Sequence, residues 1–155
     1  MARIVIRNAL FFGSERFSNL LLPWCTYTMP EVAHVGLYER DLKERGIKYA
    51  VFKKHFANND RAKLDDETEG FVKLLIKEGS DKICGATIVA PDAGNMISEL
   101  TLAINNKLTM GQIAATIHPY PTQAEVIRQL GDEYNRIRLT PTVKMLFRTL
   151  LEARR

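Results

Sequence analysis

The hydrophobic period of this sequence changes once, at Pro91. Before that proline, short runs rich in β-branched and aromatic residues are separated by turn residues, the pattern of strands. After it, apolar residues recur three and four positions apart, the pattern of amphipathic helices. Strands followed by helices exclude an alternating βαβ arrangement. They predict an α+β fold with one antiparallel β-sheet and helices packed on one face.

Upstream of Pro91, residues 20–28 (LLLPWCTYT) read as an extended segment, with Pro23 kept clear of ladder donors. Met29-Pro30 breaks it, and residues 32–36 form a second short strand. Residues 38–45 (YERDLKER) read as a charged helical turn that Gly46 ends. Residues 47–57 read as a strand, Asn58-Asn59-Asp60 as a turn, and residues 65–68 as exposed polar chain. Residues 70–78 (GFVKLLIKE) and 82–89 (KICGATIV) flank Gly79-Ser80-Asp81, a hairpin signal. Residues 2–12 (ARIVIRNALFF) fit either a strand or a helix stopped by Gly13; the helix is favoured.

Downstream, Asp92 is placed to cap a helix carrying Met96, Ile97, Leu100, Ala103 and Ile104. Thr109 is placed to cap a shorter one over residues 110–115. Thr122, with Glu125 three residues on, has capping-box spacing for a third helix carrying Val126, Leu130, Tyr134 and Ile137. Pro141 opens a last helix with Met145, Leu146, Leu150 and Leu151.

With 155 residues, 46% of them hydrophobic, the chain has enough apolar side chain for one core. The net charge of +4 is spread among interleaved acidic and basic residues, which argues against a nucleic-acid partner. Two cysteines, Cys25 and Cys84, form neither a C-x-x-C pair nor a metal-ligand spacing. Together with the lack of a signal-peptide pattern, they lead to the expectation of a cytoplasmic protein. No apolar run approaches the roughly 20 residues of a membrane-spanning helix, so no membrane partner is expected.

Four stretches in this order resemble the C-terminal dimerisation domain of the pyridine nucleotide–disulfide oxidoreductases, which include glutathione reductase, dihydrolipoamide dehydrogenase and mercuric reductase. Residues 26–36 (TYTMPEVAHVG) look like the family's aromatic-Thr-Asp-Pro-Glu-hydrophobic-Ala-x-Val-Gly opening. Residues 82–89 resemble its hairpin strand with an internal glycine, and residues 92–104 its first interface helix. Residues 118–125 (HPYPTQAE) sit where the family places its His-Pro-Thr-x-x-Glu motif. The likeness spans residues 20–138.

The resemblance implies a homodimerisation domain that offers its motif to the partner subunit's active site. FAD and NAD(P)H are implied for a longer parent whose FAD and NAD(P) domains precede this one; no cofactor is expected in this chain, which has no G-x-G-x-x-G. Residues 1–19 then read as the tail of a preceding FAD domain or a linker. Residues 20–140 read as the dimerisation domain, and residues 141–155 as a C-terminal helical extension. Such a chain is not expected to catalyse the family reaction alone.

Aligned from Glu125 leftwards, Thr122 and Pro121 match the family's Thr and Pro, and Tyr120 stands in the place of the catalytic histidine. That histidine is a general acid–base in the thiol-reducing members, oriented by the counterpart of Glu125. A phenol, with an ordinary pKa of about 10, is a poor base near neutrality but can hydrogen-bond. Mercuric reductases carry a tyrosine there, within a Pro-Tyr-x-Thr-x-Ala-Glu run that residues 119–125 fit. The resemblance therefore points to a mercuric-reductase-like branch with Tyr120, His118 and Glu125 as site residues. Residues 151–155 (LEARR) hold no vicinal cysteine pair for a soft metal, so the substrate stays open. His118 aligns with an extra histidine of dihydrolipoamide dehydrogenases; it reads either as a surrogate base beside Tyr120 or as a loop histidine paired with a backbone carbonyl. His34 and His55 read as structural, Trp24 and Tyr27 as core or interface residues, and Cys25 as a small buried hydrophobe.

Two other functions fit parts of the sequence. An independent small-ligand or nucleic-acid-binding module would use the basic C-terminal helices. A free-standing enzyme would use His118, Tyr120 and Glu125, but no nucleophile, metal cluster or cofactor cradle accompanies them.

Overall fold

The computed structural model describes residues 2–152 and 154. It has five strands: β1 (Trp24–Thr26), β2 (Glu31–Gly36), β3 (Tyr49–His55), β4 (Phe71–Lys77) and β5 (Ile83–Ala90). They form one sheet in the order β1-β2-β5-β4-β3, with every neighbouring pair antiparallel. The helices are α1 (Ala2–Leu10), α2 (Glu39–Glu44), α3 (Asp60–Leu64), α4 (Ala93–Asn105), α5 (Met110–Ala115), α6 (Glu125–Arg138) and α7 (Pro141–Glu152). The expected α+β architecture is the one observed.

Strand register decides which side chains meet the helices, because alternate residues face opposite sides of a sheet. Ala33 pairs with Ile88, which pairs with Val72; Val35, Ala86, Leu74 and Phe52 form the neighbouring row. All are buried, and they form one core with Met96, Ile97 and Leu100 of α4 and Val126, Ile127 and Leu130 of α6. Lys54 lies on the same face and closes it with an ion pair to Glu133 of α6.

The opposite face carries His34, Thr87, Lys73 and Lys53 in one row. His34 bonds Thr87 Oγ1 and the Gly36 carbonyl and stacks on Tyr38, so it is structural. Glu39 of α2 reaches this face, accepting from Lys73 at 2.9 Å and from the Tyr49 hydroxyl at 3.2 Å. Gly46 follows α2 with φ +63°, the left-handed conformation that ends many helices.

Some sequence expectations are corrected. Residues 56–58 form a 3-10 turn, and Asp60 opens α3 instead of closing a turn. Trp24 and Tyr27 are exposed, so neither is a core residue. Cys25 is half-buried, and burial and Glu31 push its thiol upward. The N-terminal segment is the helix favoured above the strand, and neither it nor α7 buries a residue.

Candidate active-site segment

The segment 118–125 links α5 to α6, and its position is fixed from three sides. The first is α4. His118 Nε2 lies 2.9 Å from Glu99 Oε1, and Nδ1 lies 3.1 Å from the Thr116 carbonyl. Both ring nitrogens face acceptors. The loop-histidine arrangement is what the geometry contains, with a carboxylate added to the backbone carbonyl.

The second anchor is α3. Asn59 is fully buried and caps this helix: its Oδ1 accepts from Ala62 N at 2.9 Å. Its Nδ2 donates to the Thr122 carbonyl at 3.0 Å. One side chain therefore satisfies a helix end and a loop carbonyl that burial would otherwise leave unpaired. The next residue, Asp60, accepts the Tyr120 hydroxyl at 3.0 Å through Oδ2.

The third anchor is Gln123, which donates to Glu67 Oε2 at 3.1 Å. Its Oε1 is buried without a hydrogen-bond partner.

The expected capping box at Thr122 and Glu125 does not form. Helix α6 starts at Glu125 behind Ala124, and no side chain caps it. The Thr122 hydroxyl donates to the Pro119 carbonyl at 2.8 Å instead. The helix begins later than the T-x-x-E spacing predicts, and Asn59 Nδ2 holds the Thr122 carbonyl in the preceding loop. A true capping box opens α5, between Thr109 and Gln112.

Glu125 is also turned to a different use. It accepts from Arg128 Nη2 at 2.8 Å, and Arg128 Nη1 donates to Asp132 at 2.7 Å. These carboxylates, Glu125 first, raise the guanidinium's proton affinity further. The three site residues therefore share one loop, but each has its own partner: Glu99 for His118, Asp60 for Tyr120, Arg128 for Glu125. No sequence signal pointed to Glu99 or Asp60, because both come from distant elements. Tyr120 is 69% exposed, so its ring stands open to whatever approaches this end of the domain.

The N-terminal turn of α4 carries a glycine, Gly94, a feature that can attract phosphate. Gly94 N–H instead donates to Glu31 Oε2 at 2.8 Å, so a carboxylate already occupies it. A dinucleotide does not fit that turn. Among the described residues no group of three or more His, Cys, Asp or Glu is arranged to hold a metal ion, and no helix is long and apolar enough to cross a membrane.

Comparison with known proteins gives this arrangement a family. Residues 22–130 match the model of the pyridine nucleotide-disulphide oxidoreductase dimerisation domain. The mitochondrial dihydrolipoyl dehydrogenase of Sus scrofa is 44% identical over 126 residues, covering 81% of this chain and 25% of that protein. The Caenorhabditis elegans protein of the same name is 42% identical over 108 residues, covering 70% of this chain and 22% of its own length. The chain thus spans about a quarter of the length of these relatives.

Among solved structures, LpdA of Mycobacterium tuberculosis superposes with a TM-score of 0.78 at 25% identity, covering 85% of this chain and 29% of that one. The HOCl-induced flavoprotein disulfide reductase RclA of Escherichia coli gives 0.78 at 22% identity, covering 84% and 30%, and supports the fold. The Sus scrofa and Caenorhabditis elegans relatives carry the name dihydrolipoyl dehydrogenase, not mercuric reductase. A match that covers all five strands and α4 through the first turns of α6, together with these identities, places the chain in the pyridine nucleotide–disulfide oxidoreductase family, as its dimerisation domain.

Proposed function

We propose that this chain is the subunit-pairing part of a longer FAD- and NAD(P)H-dependent reductase, and that it presents Tyr120 to the partner subunit's active site. On this reading residues 1–19 and 141–155 flank the pairing domain at residues 20–140, and the FAD and NAD(P) domains of the parent hold the cofactors. Those cofactors supply the electrons; the α4 turn, where Glu31 accepts from Gly94 N–H, offers them no cradle. The observation that carries the proposal is the exposed phenol of Tyr120, on a loop tied down at His118, Thr122 and Gln123. A fixed loop with an open aromatic side chain is suited to completing a site built elsewhere.

His118 and Glu125 act in this proposal by holding the loop and the start of α6, since their polar atoms are engaged by Glu99 and Arg128. A second copy of the chain is the pairing partner. Leu102 on α4 (62% exposed) and Ile117 beside His118 (92% exposed) offer apolar surface next to the motif. A two-fold axis there would set both patches against their symmetry mates.

Two substrate classes follow from two observations. Tyr120 in place of histidine favours a mercuric-reductase-like electrophile, for which a phenol is a ligand or hydrogen-bonding group. The relatives' names favour a dithiol such as dihydrolipoamide, whose oxidation calls for a base. We favour the first, because a phenol hydrogen-bonded to a carboxylate does not take up a thiol proton near neutral pH.

Steady-state kinetics of the parent enzyme with mercuric ion and with dihydrolipoamide tests this. Tyr120→Phe is expected to lower kcat/KM for the favoured substrate about a hundredfold. Tyr120→His is expected to raise dithiol turnover. Efficient dithiol turnover by the wild type, unaffected by Tyr120→Phe, would overturn the reading.

A further inference from the structure

The carboxylate expected to orient the catalytic position is Glu125, and in this fold it is committed to Arg128 at 2.8 Å. A different carboxylate meets Tyr120. Asp60 Oδ2 lies 3.0 Å from the Tyr120 hydroxyl, across sixty residues of sequence. We propose that Asp60 is the positioning residue for Tyr120: it accepts the phenol proton and so presents the hydroxyl oxygen to the substrate as an acceptor.

The local fold explains how Asp60 comes to be there. Asn59 starts α3 by capping Ala62 N, which puts Asp60 in the first turn. The same Asn59 holds the Thr122 carbonyl, two residues beyond Tyr120. Both ends of the Asp60–Tyr120 contact are therefore fixed by a single buried amide. Carboxylates are favoured in a first helical turn, and α3 keeps a short ion pair of its own, Arg61 to Asp65 at 2.7 Å.

The direction of the hydrogen bond has a chemical consequence. A phenol has one proton, and here it is donated to Asp60. The lone pairs of the oxygen are what remain for a substrate. Tyr120 then suits a cationic or electrophilic centre, or a group that brings its own proton, and not an anionic oxygen that needs a donor. This rests on the reading that Tyr120 completes the partner subunit's active site, and it narrows the substrate class of that site.

Arg61, Asp65 and Asp92 line the cleft beside Pro121 and Thr122. Lys63 Nζ lies 3.5 Å from Asp60 Oδ1 on the same helix, and Glu125 adds negative charge near the phenol. The Tyr120 phenol is held above its ordinary range, first by its bond to Asp60 and then by the charge of that carboxylate, because ionising it would set two anions together.

Titration of the intact chain with 13Cζ-labelled tyrosine tests the pairing, with Tyr120→Phe assigning the signal among the five tyrosines. In Asp60→Asn the Tyr120 signal is expected to titrate at lower pH than in wild type, and Asp60→Glu is expected to restore the delay in part. An unchanged Tyr120 titration in Asp60→Asn, with the amide spectrum otherwise native, would overturn the proposal. In the parent enzyme Asp60→Asn is expected to lower kcat about tenfold to a hundredfold with KM little changed, the ratio that loss of one charge-assisted hydrogen bond gives. If the titration moves but Tyr120→Phe leaves turnover intact, the pair stands and the active-site reading falls. If Tyr120→Phe removes turnover while Asp60→Asn changes neither turnover nor titration, the active-site reading stands and Asp60 loses its role.

Discussion

Phe56→Ala is expected to destabilise the domain by about 3–5 kcal/mol, the range for truncating a fully buried aromatic ring. Phe56 is 0% exposed and is the largest of the fully enclosed side chains. It lies where β3 gives way to the 3-10 turn, and its N–H donates to the Gly70 carbonyl at 3.3 Å. Its loss leaves a cavity in a core also lined by Ala62 of α3. Since α3 carries Asp60, the site should loosen as the core does. Urea denaturation checks this: the midpoint should fall while the slope is unchanged. A loss under 1 kcal/mol would mean that Phe56 is not the keystone its burial indicates.

Gly131→Val should cost about 3 kcal/mol, the upper end of the usual range for overpacking. A Cβ at Gly131 would stand 2.9 Å from both Ala114 Cβ and Ala114 N. The backbone of α5 therefore crosses α6 where only a glycine fits. In an ordinary helix interior, replacing glycine would bring a gain from propensity, to which valine's branching adds little. Here the contact is with main chain, which cannot rotate away, so the clash wins. The effect should also reach the site, because the loop 116–124 spans from α5 to α6. Circular dichroism melting is expected to show a lower Tm, and the Tyr120 signal should lose its Asp60-dependent delay. A melting temperature equal to wild type would contradict the close crossing.

The order of the elements was legible because the hydrophobic period is written locally. β4 and β5 around Gly79-Ser80-Asp81, and the helices after Pro91, follow from spacing that tertiary contacts merely confirm. The short helix α3 was not legible. It has five residues and buries one of them, Ala62, so it shows no apolar stripe; the cap Asn59 was its only mark and reads equally as a turn.

The site was legible in part. The motif at 118–125 marks the stretch that joins α5 to α6, and the tyrosine at position 120 is visible at once. That Asp60 lies against its hydroxyl is not. T-x-x-E is a local rule, and here Thr122 obeys Asn59 while Glu125 obeys Arg128. Competition between local capping and long-range anchoring is decided by packing, which spacing alone does not encode. Glu99, the partner of His118, was equally silent, since it sits on an amphipathic helix among ordinary surface residues.

The central claim is that this domain pairs subunits, and sedimentation equilibrium of the intact chain tests it most directly. A dimer is expected whose fraction rises with concentration, with a shift to monomer in Leu102→Glu/Ile117→Glu at unchanged helical content. A wild-type chain that stays monomeric from micromolar to millimolar concentration would contradict it.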